Sequence, residues 1–157
     1  MMAMVHFAIT GGEVIPEIEM PMFATILDLK ETIEEILDVD VARQTLNFNN
    51  QVLTNDQTIG HLNLGPFAAL ALVVTPLAGQ QKFNILVKSI NEEINIRVKE
   101  TTLVVDLKRK LERRCGILIE KITLHRLSKE MEDAFPLSAY YVCEGSEVEM
   151  TTKIEPR

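Results

Sequence analysis

Thr25-Ile26-Leu27-Asp28-Leu29-Lys30 and, 78 residues further on, Leu103-Val104-Val105-Asp106-Leu107-Lys108 are two renderings of one pattern. In the first copy Ile26, Leu29, Ile33 and Leu37 follow at intervals of 3, 4 and 4 residues. In the second, Val104, Leu107, Leu111 and Cys115 keep the same intervals. That spacing lines one face of an amphipathic helix of about three turns. Thr25 and Asp28 stand at capping-box separation, which predicts that the first helix begins there. Gly116 is placed to stop the second.

Upstream of each helix the apolar period changes from helical to alternating, the signature of a strand with one buried face. Val5, Phe7 and Ile9 alternate, Gly11-Gly12 can turn the chain, and Ile18 and Met20 alternate again, so a β-hairpin is predicted. In the second copy Phe83, Ile85 and Val87, a polar turn at residues 91 to 93, and Ile94, Ile96 and Val98 repeat it. Downstream, Leu46 and Phe48 form a short strand, Leu53 and the polar residues 54 to 58 a turn, and Leu70, Leu72 and Val74 a last strand before Pro76. Leu124, Met131, Leu137, Val148 and Met150 answer Leu46, Leu53, Ile59, Leu70 and Leu72 with no gap. Strand and helix periods stay in phase across the whole offset, so the expected organisation is a repeat. It comprises a domain at 1–76, a linker at 77–81 and a second domain at 82–157.

The composition allows this. The chain has 157 residues, 46% apolar and 25% charged, with a net charge of −7; disorder and fibrous repeats are excluded. Domains of about 75 residues can each hold a core. Charge divides with the pattern: up to Ala78 there are ten acidic residues against Lys30 and Arg43, a net of −8, and the remainder nets +1. The longest apolar run, residues 67 to 74, falls short of the roughly 18 to 20 residues of a membrane span. No basic segment precedes an apolar one at the start, and Cys115 and Cys143 are the only cysteines. The expectation is therefore a protein of the cytosol or nucleus without a disulfide framework.

Taken in order, these residues resemble ubiquitin. In the second half the matching spacing runs through Gly116-Ile117, Leu124, Lys129 to Asp133 and Leu137-Ser138-Ala139-Tyr140. In the first half it runs through Thr25-Ile26, Lys30, Gln44, Leu46, Phe48, Leu53 and Thr58-Ile59. The resemblance covers nearly the whole chain. It implies an α+β architecture of two tandem ubiquitin-like β-grasp domains, each a mixed sheet packed on one helix. It also implies that Lys30 and Lys108 are structural lysines whose stems cover apolar surface.

Two family activities can be tested against the residues. Conjugation needs a tail ending in Gly-Gly, and the only such pair here is Gly11-Gly12 in a hairpin; the sequence as given ends Glu155-Pro156-Arg157. A conjugated tandem modifier is the alternative should the natural chain extend further. Non-covalent docking uses an apolar sheet patch whose central isoleucine corresponds to Asn47 in the first domain and His125 in the second. The neighbouring patch positions correspond to Ala71 and Val73, and to Glu149 and Thr151. Burying Asn47 or His125 without a hydrogen bond costs roughly 1 to 3 kcal/mol, so standard ubiquitin receptors are expected to bind weakly. The bland account of both residues is solvated sheet positions. The first domain, which keeps Val73, is the better candidate for a modified patch.

Catalysis and cofactors find no support. His6, His61 and His125 stand at unrelated points of the pattern, with no cysteine or second histidine at ligand spacing. No glycine-rich phosphate loop is present, and Cys115 reads as part of the helix stripe. One charged contrast remains. Lys108, Arg109, Lys110, Arg113 and Arg114 lie on the second helix, where the first carries Glu31, Glu34, Glu35 and Asp38. A nucleic-acid partner would use such a basic face, yet the negative net charge and 5% aromatic content weigh against it. A solvated surface fits better, as does the idea that the opposite signs set the orientation of the two domains or select an acidic partner segment. The expectation is a non-catalytic module that binds other proteins, an adaptor in ubiquitin-linked processes, with Asn47, Ala71, Val73, His125, Lys108, Arg109, Arg113 and Arg114 as the candidate contact residues.

Overall fold

The computed structural model describes residues 3 to 153. They group into two compact units that divide between Pro76 and Leu77.

The first unit runs β1 (Met4–Thr10), β2 (Glu17–Pro21), α1 (Ile26–Leu37), β3 (Gln44–Phe48), β4 (Gln51–Val52) and β5 (Ala69–Val74). Its sheet has the order β2-β1-β5-β3-β4. β1 and β5 are parallel, and the other neighbours are antiparallel. Strand alternation turns Phe7, Ile9, Ile18, Met20, Leu46, Leu70 and Leu72 inward, where they meet Ile26, Leu29, Ile33 and Leu37 of α1; all are buried. Each fully buried side chain of this kind contributes roughly 1.5 to 3 kcal/mol. Sheet and helix therefore hold each other.

The second unit runs β6 (Lys82–Lys88), β7 (Glu93–Lys99), α2 (Val104–Cys115), β8 (Ile122–Arg126), β9 (Lys129–Glu130) and β10 (Glu147–Thr152). Its order, β7-β6-β10-β8-β9, repeats the first, with the parallel pair now β6 and β10. The mixed sheets and single helices are those of the β-grasp architecture.

Local chemistry repeats with the topology. Glu34 accepts from the Val41 N–H at 3.0 Å and Glu112 from the Ile119 N–H at 2.8 Å, each tying a helix to the turn that follows it. The chain leaves both helices through a left-handed residue, Asp38 at φ 65° and Gly116 at φ 72°. The helix starts differ. Thr25 Oγ1 accepts from the Asp28 N–H at 3.1 Å while the Asp28 carboxylate accepts from the Thr25 N–H at 2.9 Å, a complete capping box. α2 starts after Leu103 with no side-chain cap.

Three details depart from the sequence reading, and a fourth adds to it. The first hairpin turns through residues 11 to 16 rather than tightly at the glycine pair; Gly11 takes φ 128°, and the Ile9 N–H donates to the Pro16 carbonyl at 2.9 Å. Cys115, the fourth position of its stripe, is only half-buried, whereas its counterpart Leu37 is fully enclosed. Phe48 is half-exposed and its counterpart Arg126 is buried, donating to the carbonyls of Tyr140 (3.3 Å), Tyr141 (3.2 Å) and Glu147 (3.4 Å). Finally, the expected linker contains a short 3-10 turn at Ala78–Gln80, and the Leu77 N–H donates to Glu100 at 2.8 Å.

Candidate interaction surfaces

The alternation that buries one face of each sheet fixes what the other presents. On the first unit Asn47 lies opposite Ala71 on β5 and opposite Val52 on β4, and Val73 lies opposite Thr45. Asn47 and Ala71 are half-exposed. Val52 and Val73 are open to solvent, at 64% and 56%. Asn47, Ala71 and Val73 thus form one surface, a polar amide set among small apolar side chains. Val52, which sequence reasoning left out, completes it; its pairing with Asn47 depends on a two-residue strand that carries no periodicity to detect.

On the second unit the corresponding surface is polar throughout. His125 is half-exposed and lies opposite Glu149 on β10 and Glu130 on β9. Lys88, on β6 opposite Glu149, reaches Glu147 at 2.9 Å and Glu93 at 3.9 Å. The hydrogen bond and charge of Glu147 raise the Lys88 pKa above its ordinary value. A face so rich in charge offers an apolar partner little to bury.

The basic residues of α2 separate into two groups. Lys108 is buried with its ammonium 2.6 Å from Asp133, and Arg109 pairs with Asp106 one helical turn back, so both are neutralised within the unit. Arg113 and Arg114 instead join Lys110 and, from β7, Arg97 around a concavity of about 420 Å3. Lys110 donates to the Arg97 carbonyl at 3.1 Å and Arg114 to the Asn95 carbonyl at 3.4 Å. Arg97 was not among the candidates read from the sequence. Strand alternation places it outward, but its convergence with α2 is a matter of packing.

Among the described residues no three His, Cys, Asp or Glu side chains are grouped to hold a metal ion. No helix among them is long and apolar enough to cross a membrane. Cys143 is buried, and burial, with Glu92 nearby, raises the pKa of the half-buried Cys115 thiol, which disfavours the reactive thiolate.

Comparison with known proteins matches these surfaces to a scaffold. The sequence model of the Ubiquitin family matches the chain twice, over residues 9–77 and 85–155. A solution NMR structure of the ubiquitin-like domain of an Arabidopsis thaliana protein is similar at 26% identity. That match covers 52% of this chain and 87% of the other, with a TM-score of 0.48. Comparison with curated protein sequences returns no match.

Proposed function

This chain belongs to the ubiquitin family, with two domains of that kind in tandem, and from that premise we propose that it works as a non-catalytic adaptor in ubiquitin-linked processes. Two ubiquitin-like domains are suited to protein interaction, and the first offers the more usable sheet face. The observation that carries this reading is the register that sets Asn47 between Ala71 and Val52 with Val73 exposed beside them. A partner that lays apolar side chains on Val52, Ala71 and Val73 gains burial only if it also offers Asn47 a hydrogen bond, because an unpaired buried amide costs roughly 1 to 3 kcal/mol. Such a face selects partners other than receptors built for an apolar centre. The second domain, with His125 between two glutamates, contributes through its charged surfaces.

The test is capture of proteins from cell extract by the full chain, compared with Val73→Glu and Asn47→Ile. The reading expects Val73→Glu to release proteins of the ubiquitin system and Asn47→Ile to exchange them for standard ubiquitin receptors. A captured set indifferent to both substitutions contradicts it.

A further inference from the structure

The concavity between β7 and α2 gathers Arg97, Lys110, Arg113 and Arg114 with Asn84 and Asn95. Among the described residues none of the four cations pairs with a carboxylate; the side-chain hydrogen bonds of Lys110 and Arg114 go to backbone carbonyls. Four like charges in one hollow repel one another, in a chain whose net charge is −7. An acidic surface docked there would relieve that repulsion.

The first unit carries such a surface at the same place in the fold. Moving 78 residues back from Asn95, Arg97 and Arg113 gives Glu17, Glu19 and Glu35. The strand registers agree: Asn84 lies opposite Arg97, and His6 opposite Glu19. All three glutamates are exposed, and Glu19 lies 3.6 Å from His6. One scaffold position therefore carries opposite charge in the two units, on an edge strand in both cases.

We propose that the acidic β2/α1 face of one copy of this chain docks on the basic β7/α2 face of a second copy. Carboxylates of Glu17, Glu19 and Glu35 meet the guanidinium groups of Arg97, Arg113 and Arg114. Lys110 and Arg114 already occupy outward carbonyls of β7, so the contact is made by side-chain charge rather than by an added strand. Each copy bears one face of each sign. Both faces are satisfied in a closed dimer, and a contact that does not close continues into longer assemblies.

Sedimentation equilibrium of the full chain tests this at about 10 mM and about 1 M salt, where charges are screened beyond roughly 30 and 3 Å. Association is expected at low salt, weakened at least about tenfold at high salt. R97E/R113E cancels the charge of the basic face, two glutamates against Lys110 and Arg114, and E19R/E35R turns the acidic face net positive, two arginines against Glu17. The four residues are exposed, so both variants should keep the wild-type circular dichroism. Each alone should be monomeric, and an equimolar mixture should assemble one to one. A wild type that stays monomeric at low salt overturns the proposal, as does a mixture that fails to assemble. Binding of a polyglutamate peptide by a chain that does not self-associate also overturns it, assigning the groove to an unrelated acidic partner.

Discussion

Lys108 Nζ lies 2.6 Å from the Asp133 carboxylate, and at the equivalent point of the first unit Lys30 Nζ donates to the Asn55 amide oxygen at 2.8 Å. Both lysines are 9% exposed. The same link from helix to loop is made once with an ionised acceptor and once with a neutral one. The link, more than the pairing of charges, is what the fold uses: an ammonium taken largely out of water needs an acceptor. Asp133→Asn should therefore be tolerated, lowering the stability of the second unit by less than about 1 kcal/mol. Asp133→Ala strands the ammonium and should cost about 1 to 3 kcal/mol. Chemical denaturation of both variants checks the difference, which disappears, with both costing alike, if charge attraction dominates.

The capping box gives a sharper test of local sequence. Thr25→Ala removes the acceptor for the Asp28 N–H and should destabilise the first unit by about 1 kcal/mol, whereas Thr25→Ser keeps it and should stay within a few tenths. The second helix has no such cap, so Leu103→Ala should act only through packing. Thermal unfolding of the three variants separates these effects.

Arg126 is the largest departure of the second unit from the first. Arg126 is 2% exposed, and its guanidinium holds the carbonyls of Tyr140, Tyr141 and Glu147, in the stretch where the Glu132 N–H donates to Tyr140 Oη at 2.8 Å. Arg126→Leu fills similar space but leaves those carbonyls without their donor. The expected loss is about 2 to 4 kcal/mol, confined to the second unit. Amide hydrogen exchange should show it first around residues 137 to 147.

Much of the fold was legible because burial writes a period into sequence. The stripes Ile26, Leu29, Ile33, Leu37 and Val104, Leu107, Leu111 are buried throughout, and the capping box at Thr25 formed as its spacing implies. Signals that depend on three-dimensional neighbours were not legible. Arg126 occupies a position that reads as a strand residue, and nothing local reveals that three carbonyls surround it. Asp38 ends α1 in a left-handed conformation that glycine announces at Gly116 and aspartate does not. The candidate site was half visible for the same reason. Asn47, Ala71 and Val73 were named from the resemblance to ubiquitin, and the strand register sets them on one surface. Lys108 and Arg109 differ from Arg113 and Arg114 only in which acids and which strand lie across from them.

The central claim is that one hydrophobic core has been built twice, each copy stable in its own right. Leu29 and Leu107 are both fully buried at the centre of their helices, and replacing either by Ala should cost about 2 to 5 kcal/mol. The most direct measurement is residue-resolved hydrogen exchange on the full chain carrying Leu29→Ala or Leu107→Ala. Leu29→Ala should lower protection across residues 4 to 76 and leave 82 to 153 as in wild type, and Leu107→Ala should do the reverse. Equal loss of protection across both halves from either substitution would contradict the account.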